Sequence, residues 1–148
     1  MADFPISLEN IFFTKSIVIS LPEHIPNVGV KLKSTPINNL HIHDEIVTEG
    51  SEFREFTVTM RTIFNSEANP ADPYSIDVEC VGRFKASKSE PDEELKKGIM
   101  IVAHSVLYGA IRESVSWITS RQAFGALNLG LSILKPAVSQ IDAEINNV

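Results

Sequence analysis

The densest group of metal-ligating side chains in the sequence is the run His41-Ile42-His43-Asp44. Side chains alternate between the two faces of a strand, so His41 and His43 would share a face, and that spacing can chelate a divalent cation. The ligand set is incomplete, because a structural zinc site takes four ligands. A metal site at His41, His43 and Asp44 therefore competes with a solvated histidine pair in a strand at the edge of a loop, and the solvated pair is our prediction.

The remaining reactive side chains do not form a catalytic set. Cys80 falls in the inward series of an alternating segment, where a small apolar filler is expected rather than a nucleophile. His24 and His104 have no carboxylate or serine at an informative spacing. The sequence also has no glycine-rich phosphate loop, which argues against ATP use. We predict a protein that is not an enzyme and that uses no metal or other cofactor.

Composition narrows the class of protein further. The chain has 148 residues, 43% of them apolar and 22% charged, which fits a single globular domain over residues 1–148. Its net charge of -6 leaves no basic stripe for a nucleic acid. The one cysteine excludes an internal disulfide framework. No secretory signal and no apolar run long enough to span a bilayer are evident, so we expect a cytoplasmic protein without membrane insertion.

Three segments show the alternation of half-buried strands. The first is Asn10 to Leu21, and the other two, Phe53 to Phe64 and Tyr74 to Ala86, are joined by a turn-rich loop that predicts an antiparallel hairpin. Residues 22 to 50 are punctuated by prolines and predict a long crossing segment with short extended pieces. In the first strand, five apolar side chains are predicted to face inward: Ile11, Phe13, Ile17, Ile19 and Leu21.

Helical periodicity begins after the last of these strands. Residues 89 to 92 predict the start of a short helix that ends near Gly98, and a longer helix is predicted from His104 to Gln122. An apolar bridge from Asn128 to Pro136 leads to a last amphipathic helix, Ala137 to Ile145. Strands first and helices last indicate an α+β fold with the helices on one side of an antiparallel sheet.

The predicted elements carry more apolar surface than one small chain can cover. The longer helix has an apolar stripe wide enough for two contacts, and the crossing segment adds further apolar side chains. Copies of the chain can bury this surface in a symmetric interface, or part of it can stay open for apolar segments of other chains. Composition does not decide between the two.

Four groups of residues resemble the SecB family of export chaperones. Residues 12 to 22, an aromatic-Thr-Lys run closed by proline, are similar to the family's first strand, and residues 77 to 84 are similar to its third strand. Val106-Leu107-Tyr108 with Arg112-Glu113 resembles the start of its long helix. Ser120-Arg121, Phe124 and Leu127-Asn128-Leu129 resemble the helix exit, which is the most specific match. The resemblance extends over residues 10 to 135.

The resemblance implies a four-stranded antiparallel sheet with a long helix and a C-terminal helix packed on one side, assembled as a homotetramer, a dimer of dimers. It also implies an ATP-independent holdase that takes unfolded or precursor polypeptides into apolar grooves between the long helix, the crossing segment and the C-terminal helix. Many weak apolar contacts, each worth at most ~1.5–3 kcal/mol, sum along one client chain. Carried over to this sequence, the groove residues are Ile25, Val28, Val30, Leu32, Tyr108, Ile111, Val115, Ile133 and Leu134.

Two departures from the family pattern concern the partner. The crossing segment lacks the family's tryptophan, and Trp117 lies elsewhere. On the acidic sheet face that docks the export motor ATPase SecA, two acidic positions fall at Ser16 and Ser20, and only Asp77 keeps a carboxylate. Fewer charges mean weaker electrostatic steering. We therefore expect a partner other than the general export motor, such as the antitoxin of a toxin–antitoxin module. SecA is the other candidate partner, and Asp77 is the docking residue that remains for it. A dedicated binding or assembly module is the alternative.

Overall fold

Four strands and one long helix, in that order along the chain, form the fold: β1 (Ile6–Ser20), β2 (Ile37–Ile46), β3 (Phe53–Phe64), β4 (Tyr74–Ser87) and α1 (Asp92–Thr119). The computed structural model describes residues 6–26, 32–46, 50, 52–87, 92–130 and 132. The strands make one antiparallel sheet in the order β1-β4-β3-β2. The predicted α+β fold with a four-stranded antiparallel sheet is confirmed. The predicted C-terminal helix, Ala137 to Ile145, lies outside the described residues.

The hairpin of β3 and β4 is the centre of the sheet. The inward side chains of both strands are buried at alternate positions, as the sequence predicts, and Phe56 pairs with Phe84 across the hairpin. The connecting loop starts at Asn65, which adopts a left-handed backbone with a φ of 52°. Its side-chain amide donates to the carbonyl of Tyr74, and its side-chain oxygen accepts from the Asn69 N–H. An asparagine suits this place because it tolerates the left-handed conformation and bonds its own loop.

Strand β1 contains two β-bulges, and they correct one sequence prediction. The register against β4 shifts between Leu8 and Asn10 and again between Phe13 and Lys15. The extra residue at Thr14 moves all later side chains to the opposite face, because side chains in a strand alternate with period two. Val18 therefore packs against the core, whereas Ile17 and Ile19 are exposed on the outer face of the sheet. The prediction that Ile17 and Ile19 face inward is wrong.

Helix α1 is continuous over 28 residues, so the predicted end of a short helix near Gly98 is also wrong. A Cβ at Gly98 would lie 3.3 Å from Ile6 Cδ1, so the glycine allows a close approach of the helix to β1. The helix lies against the inner face of the sheet, and its apolar stripe forms the core with β3 and β4. It ends at Thr119, whose hydroxyl donates to the Val115 carbonyl and accepts from the Leu127 N–H.

Strand β2 lies inside the region predicted to be a crossing segment. Its alternation is short, but Leu40 and Ile42 pair with Met60 and Val58 of β3 and pack against the core. The short extended piece predicted around Leu40 and Ile42 is therefore a full edge strand of ten residues. The crossing segment proper is shorter than predicted and connects Ser20 to Ile37.

Candidate functional site

The described parts of the crossing segment are fixed to the loop between β3 and β4. The buried Asp72 carboxylate accepts from the Lys33 N–H at 2.7 Å, the Ser34 N–H at 2.8 Å and the Ser34 hydroxyl at 2.6 Å. On the other side, His24 Nδ1 lies 2.7 Å from the carbonyl oxygen of Pro70. Both ends of the crossing segment are thus held by one loop. Sequence patterns did not single out Asp72, although its place in a loop rich in proline and asparagine marks it as a turn residue.

Two apolar side chains project from this anchored backbone into solvent. Ile25 is 82% exposed and Leu32 is 43% exposed. Neighbouring residues bind the same loop, because His24 precedes Ile25 and Lys33 follows Leu32. We call Ile25 and Leu32 the crossing surface. Val28 and Val30, which were predicted to line a groove beside them, lie outside the described residues.

The groove residues predicted on the helix have a different location. Tyr108 is buried, Ile111 and Val115 are fully buried, and all three belong to the hydrophobic core. Side chains buried in this way contact the core and not a client in this conformation, and their assignment to the groove stays a prediction. These side chains are buried because most of the wide apolar stripe of the helix packs against the sheet. Ile133 and Leu134 lie outside the described residues.

Asp77 lies on the outer face of the sheet between two cations. Arg61 donates to its carboxylate from Nε at 2.8 Å and from Nη2 at 2.7 Å, and Lys15 Nζ is 2.6 Å from Oδ2. Arg61, and to a lesser extent Lys15, hold the pKa of Asp77 far below its ordinary value, although partial burial acts in the opposite direction. Asp77 in turn raises the pKa of Arg61. The carboxylate is therefore ionised, but its charge is already compensated within the chain.

The two serines assigned to the docking face lie on the other side of the sheet. Ser16 pairs with Val78 and Ser20 with Tyr74, in the series that faces the helix, and the Ser20 hydroxyl donates to Gln122 Oε1. The bulge at Thr14 places Lys15, Ile17 and Ile19 on the face of Asp77 instead. Around Asp77, this face combines apolar side chains with two carboxylates, Asp77 and Glu79, and two cations, Lys15 and Arg61, so its local charge is balanced.

The histidine pair and the cysteine show no arrangement for catalysis. His41 and His43 share the outer face of β2, with ring centroids 4.7 Å apart, and His43 Nε2 is 2.8 Å from Thr59 Oγ1. The Asp44 side chain lies outside what the structure describes, and in the described part of the chain no three metal-ligating side chains gather. Cys80 is fully buried, and desolvation raises the pKa of its thiol to about 11, as expected for an apolar filler.

Comparisons with known proteins identify the fold. The sequence matches no established family profile and no curated protein. Among solved structures, it is similar to the SecB-like chaperone Rv1957 of Mycobacterium tuberculosis, solved in complex with a ChAD peptide from the HigA1 antitoxin Rv1956. The TM-score is 0.56 at 17% identity, covering 86% of this chain and 91% of that one. A Streptococcus agalactiae protein of unknown function has a TM-score of 0.55 at 10% identity, covering 88% and 100%.

This similarity shows a shared fold, and the predicted resemblance to SecB-like proteins is confirmed at that level. In the described residues, no helix is both long and apolar enough to span a membrane.

Proposed function

We propose that this chain, which has the fold of a SecB-like chaperone, is an ATP-independent holdase that binds unfolded polypeptide segments on exposed apolar surface. The observation that carries the proposal is the crossing surface, where an anchored backbone presents Ile25 and Leu32 to solvent. Exposed apolar side chains on an anchored backbone are candidate contacts for an apolar partner. The similar Mycobacterium chaperone was solved with a bound antitoxin peptide, which supports a polypeptide ligand.

Binding of this kind needs no nucleotide. Each apolar side chain that a client covers contributes up to ~1.5–3 kcal/mol, and contacts along one client add up because the client is already tethered. Val28, Val30, Ile133 and Leu134 remain proposed members of the same surface.

The test is suppression of aggregation of an unfolded model protein at near-stoichiometric amounts, without nucleotide. Changing both Ile25 and Leu32 to serine should weaken client binding by about tenfold or more, because two apolar contacts are lost. Ile17→Ser is the matched control, because Ile17 is equally exposed as Leu32 but lies on the sheet face. If the double variant holds clients as well as the wild type, the crossing surface is not the site.

The state of Asp77 favours a dedicated client over the general export motor. An electrostatic dock needs uncompensated charge, and Lys15 and Arg61 already neutralise this carboxylate. We propose a dedicated polypeptide such as an antitoxin as the client. SecA is the second candidate partner, with Asp77 as its contact. Titration calorimetry with SecA decides: tight binding that Asp77→Asn abolishes would support the export role and contradict a dedicated one.

The proposed chaperone acts in the cytoplasm as a homotetramer, a dimer of dimers. The free, buried Cys80 is compatible with a reducing compartment. Exposed apolar side chains on the helix supply surface for assembly.

A further inference from the structure

Four polar side chains, one helical turn apart on α1, contact the chain that follows the helix. The Tyr108 hydroxyl donates to the Gly130 carbonyl at 2.5 Å, and Arg112 Nε donates to the Leu129 carbonyl at 2.8 Å. Ser116 Oγ donates to Asn128 Oδ1 at 3.2 Å, and Ser132 Oγ lies 3.3 Å from His104 Nε2. We call His104, Tyr108, Arg112 and Ser116 the polar ladder. From Ser116 back to His104, the contacted residues run forward from Asn128 to Ser132, so the contacted chain runs antiparallel to the helix.

The contacted chain has the properties of an extended amphipathic peptide. Residues 127–130, which we call the strap, form neither helix nor strand. Leu127 and Leu129 are buried in the core that also contains Tyr108, whereas Asn128 and Gly130 are exposed. The two shortest ladder bonds are made to backbone carbonyls, which every polypeptide has. Two of the four ladder contacts, those of Tyr108 and Arg112, therefore do not depend on the side chains of the accepting residues, whereas those of Ser116 and His104 are made to the side chains of Asn128 and Ser132.

We infer that the polar ladder is a second polypeptide-binding site, that the strap occupies it, and that an extended client segment with apolar residues at alternate positions displaces the strap. The inference rests on the proposed function. The strap is part of the chain itself, and it is bound through backbone carbonyls and alternate apolar side chains, which an unfolded client also has. Displacement of the strap uncovers Tyr108 and the core side chains that Leu127 and Leu129 contact.

The surroundings of the strap leave room for such an exchange. A cavity of about 300 Å3 lies along it, lined by Gly109, Arg112, Glu113, Ser116, Asn128 and Leu129. The chain before the strap is fixed separately, because the Tyr74 hydroxyl donates to the Gly125 carbonyl at 2.6 Å. Within the strap, the Leu127 N–H donates to the Thr119 hydroxyl at 2.8 Å, and this bond must break when Leu127 is displaced. The strap can thus leave the ladder while the turn that precedes it stays anchored.

A reversible disulfide tests the exchange. In the double variant Ser116→Cys with Asn128→Cys, oxidation closes the strap on the helix and reduction frees it. Cys80 does not interfere, because it is buried and its thiol has a pKa of about 11. The probe is reduced, carboxamidomethylated α-lactalbumin, a permanently unfolded protein, with free thiols counted to verify closure. We expect binding at least about tenfold weaker when oxidised than when reduced.

A second variant tests the opposite direction and decides the matter if the disulfide does not form. Leu129→Ser removes a buried contact of the strap and should bind the same probe several-fold more tightly. Ala126→Ser is the control, because Ala126 is exposed just before the strap. Circular dichroism verifies that each variant is folded.

The outcomes separate the two claims. If the wild type binds the probe and neither closure nor Leu129→Ser changes the affinity, the inference is overturned and the proposed function stands. If no form of the protein binds the probe, the proposed function fails, and the inference fails with it.

Discussion

At the scale of single residues, the neighbours of a side chain decide its chemistry. Asp77 is a carboxylate on an exposed sheet face, yet both Lys15 and Arg61 bind it. Its role in the folded chain is to join β1, β4 and β3 across the outer face. The same residue viewed in the sequence is an acidic docking position.

We expect Asp77→Asn to lower the free energy of unfolding by about 1–2 kcal/mol near neutral pH, because the bidentate bond to Arg61 and the contact with Lys15 are lost. The folded-state pKa of Asp77 lies below its unfolded value of 3.8, so this stability is present above that pH and is lost as the pH falls further. Urea denaturation of both proteins measures the difference. Glu79→Gln is the control and should lose less, because its bond to Thr14 is exposed.

His104 is a second group whose titration affects stability, and here the pKa is shifted by burial and not by a charged partner. Burial lowers the pKa of His104 below its ordinary value of 6.5, because desolvation disfavours the imidazolium. The unfolded chain therefore takes up the proton at a higher pH than the folded chain. The stability is fully present above pH 6.5 and is lost as the pH falls toward the folded-state pKa.

We expect the Tm of the wild type to fall between about pH 7.5 and about pH 5.5, and His104→Gln to show a smaller fall over the same interval. Asp77 is ionised in both states throughout this interval, so it adds nothing to the difference. Thermal melts at the two pH values measure it. An equal fall in both proteins would show that His104 does not contribute to the pH dependence.

At the scale of elements, the contact of α1 with the sheet depends on glycine at one place. A Cβ at Gly82 of β4 would lie 2.7 Å from Phe84 Cε2 and 3.0 Å from Leu107 Cδ2. Gly109, on the exposed face of α1, has no atom within 4 Å of an added Cβ. We therefore expect substitution by alanine to have opposite effects at the two glycines.

Gly82→Ala should destabilise the fold by about 1–3 kcal/mol, because Phe84 and Leu107 must move in a packed core. Gly109→Ala should be neutral or should stabilise by up to about 1 kcal/mol, because alanine is the better helix former. Chemical denaturation of the two variants measures both changes. A Gly82→Ala protein as stable as the wild type would show that helix and sheet are not closely packed at this point.

At the scale of the whole molecule, the exposed apolar side chains are divided among separate surfaces. Ile25 and Leu32 belong to the crossing surface, and Ile17 and Ile19 to the outer sheet face. Ile101 and Trp117 of α1 are 62% and 61% exposed, and Arg121 lies over the Trp117 ring. At 3.6 residues per turn the two side chains point about 160° apart around the helix axis, so they do not form one surface. Separate surfaces allow one to mediate assembly while another binds clients.

We expect Ile101→Lys to reduce the molar mass of the assembled protein, because a charge must stay hydrated and cannot enter an apolar interface between helices. Size-exclusion chromatography with light scattering measures the mass. Ile25→Lys is the matched control and should leave the assembly intact while weakening client binding. If Ile101→Lys keeps the mass of the wild type, the part of α1 around Ile101 is not the assembly surface.

Several features were fixed by local sequence patterns. The alternation in Phe53 to Phe64 and in Tyr74 to Ala86 predicted the central hairpin. The change along the chain from strand-like alternation to helical periodicity predicted the α+β class. The place of Cys80 in an inward series predicted its burial. These features follow from periodicity, which is a property of neighbouring residues and needs no knowledge of distant ones.

Other features were decided only by contacts between distant parts of the chain. The bulge at Thr14 is a matter of register against β4, and it exchanges the faces of Val18 and Ile17. Gly98 lies inside the helix, and Ile6 of β1 approaches it closely. Tyr108, Ile111 and Val115 are buried in the core that the helix and the sheet share, and the chain at Gly130 also contacts Tyr108. The periodicity of a segment shows which of its faces is apolar. Only the neighbours that pack on that face determine whether the chain itself covers it or whether it is free to bind another chain.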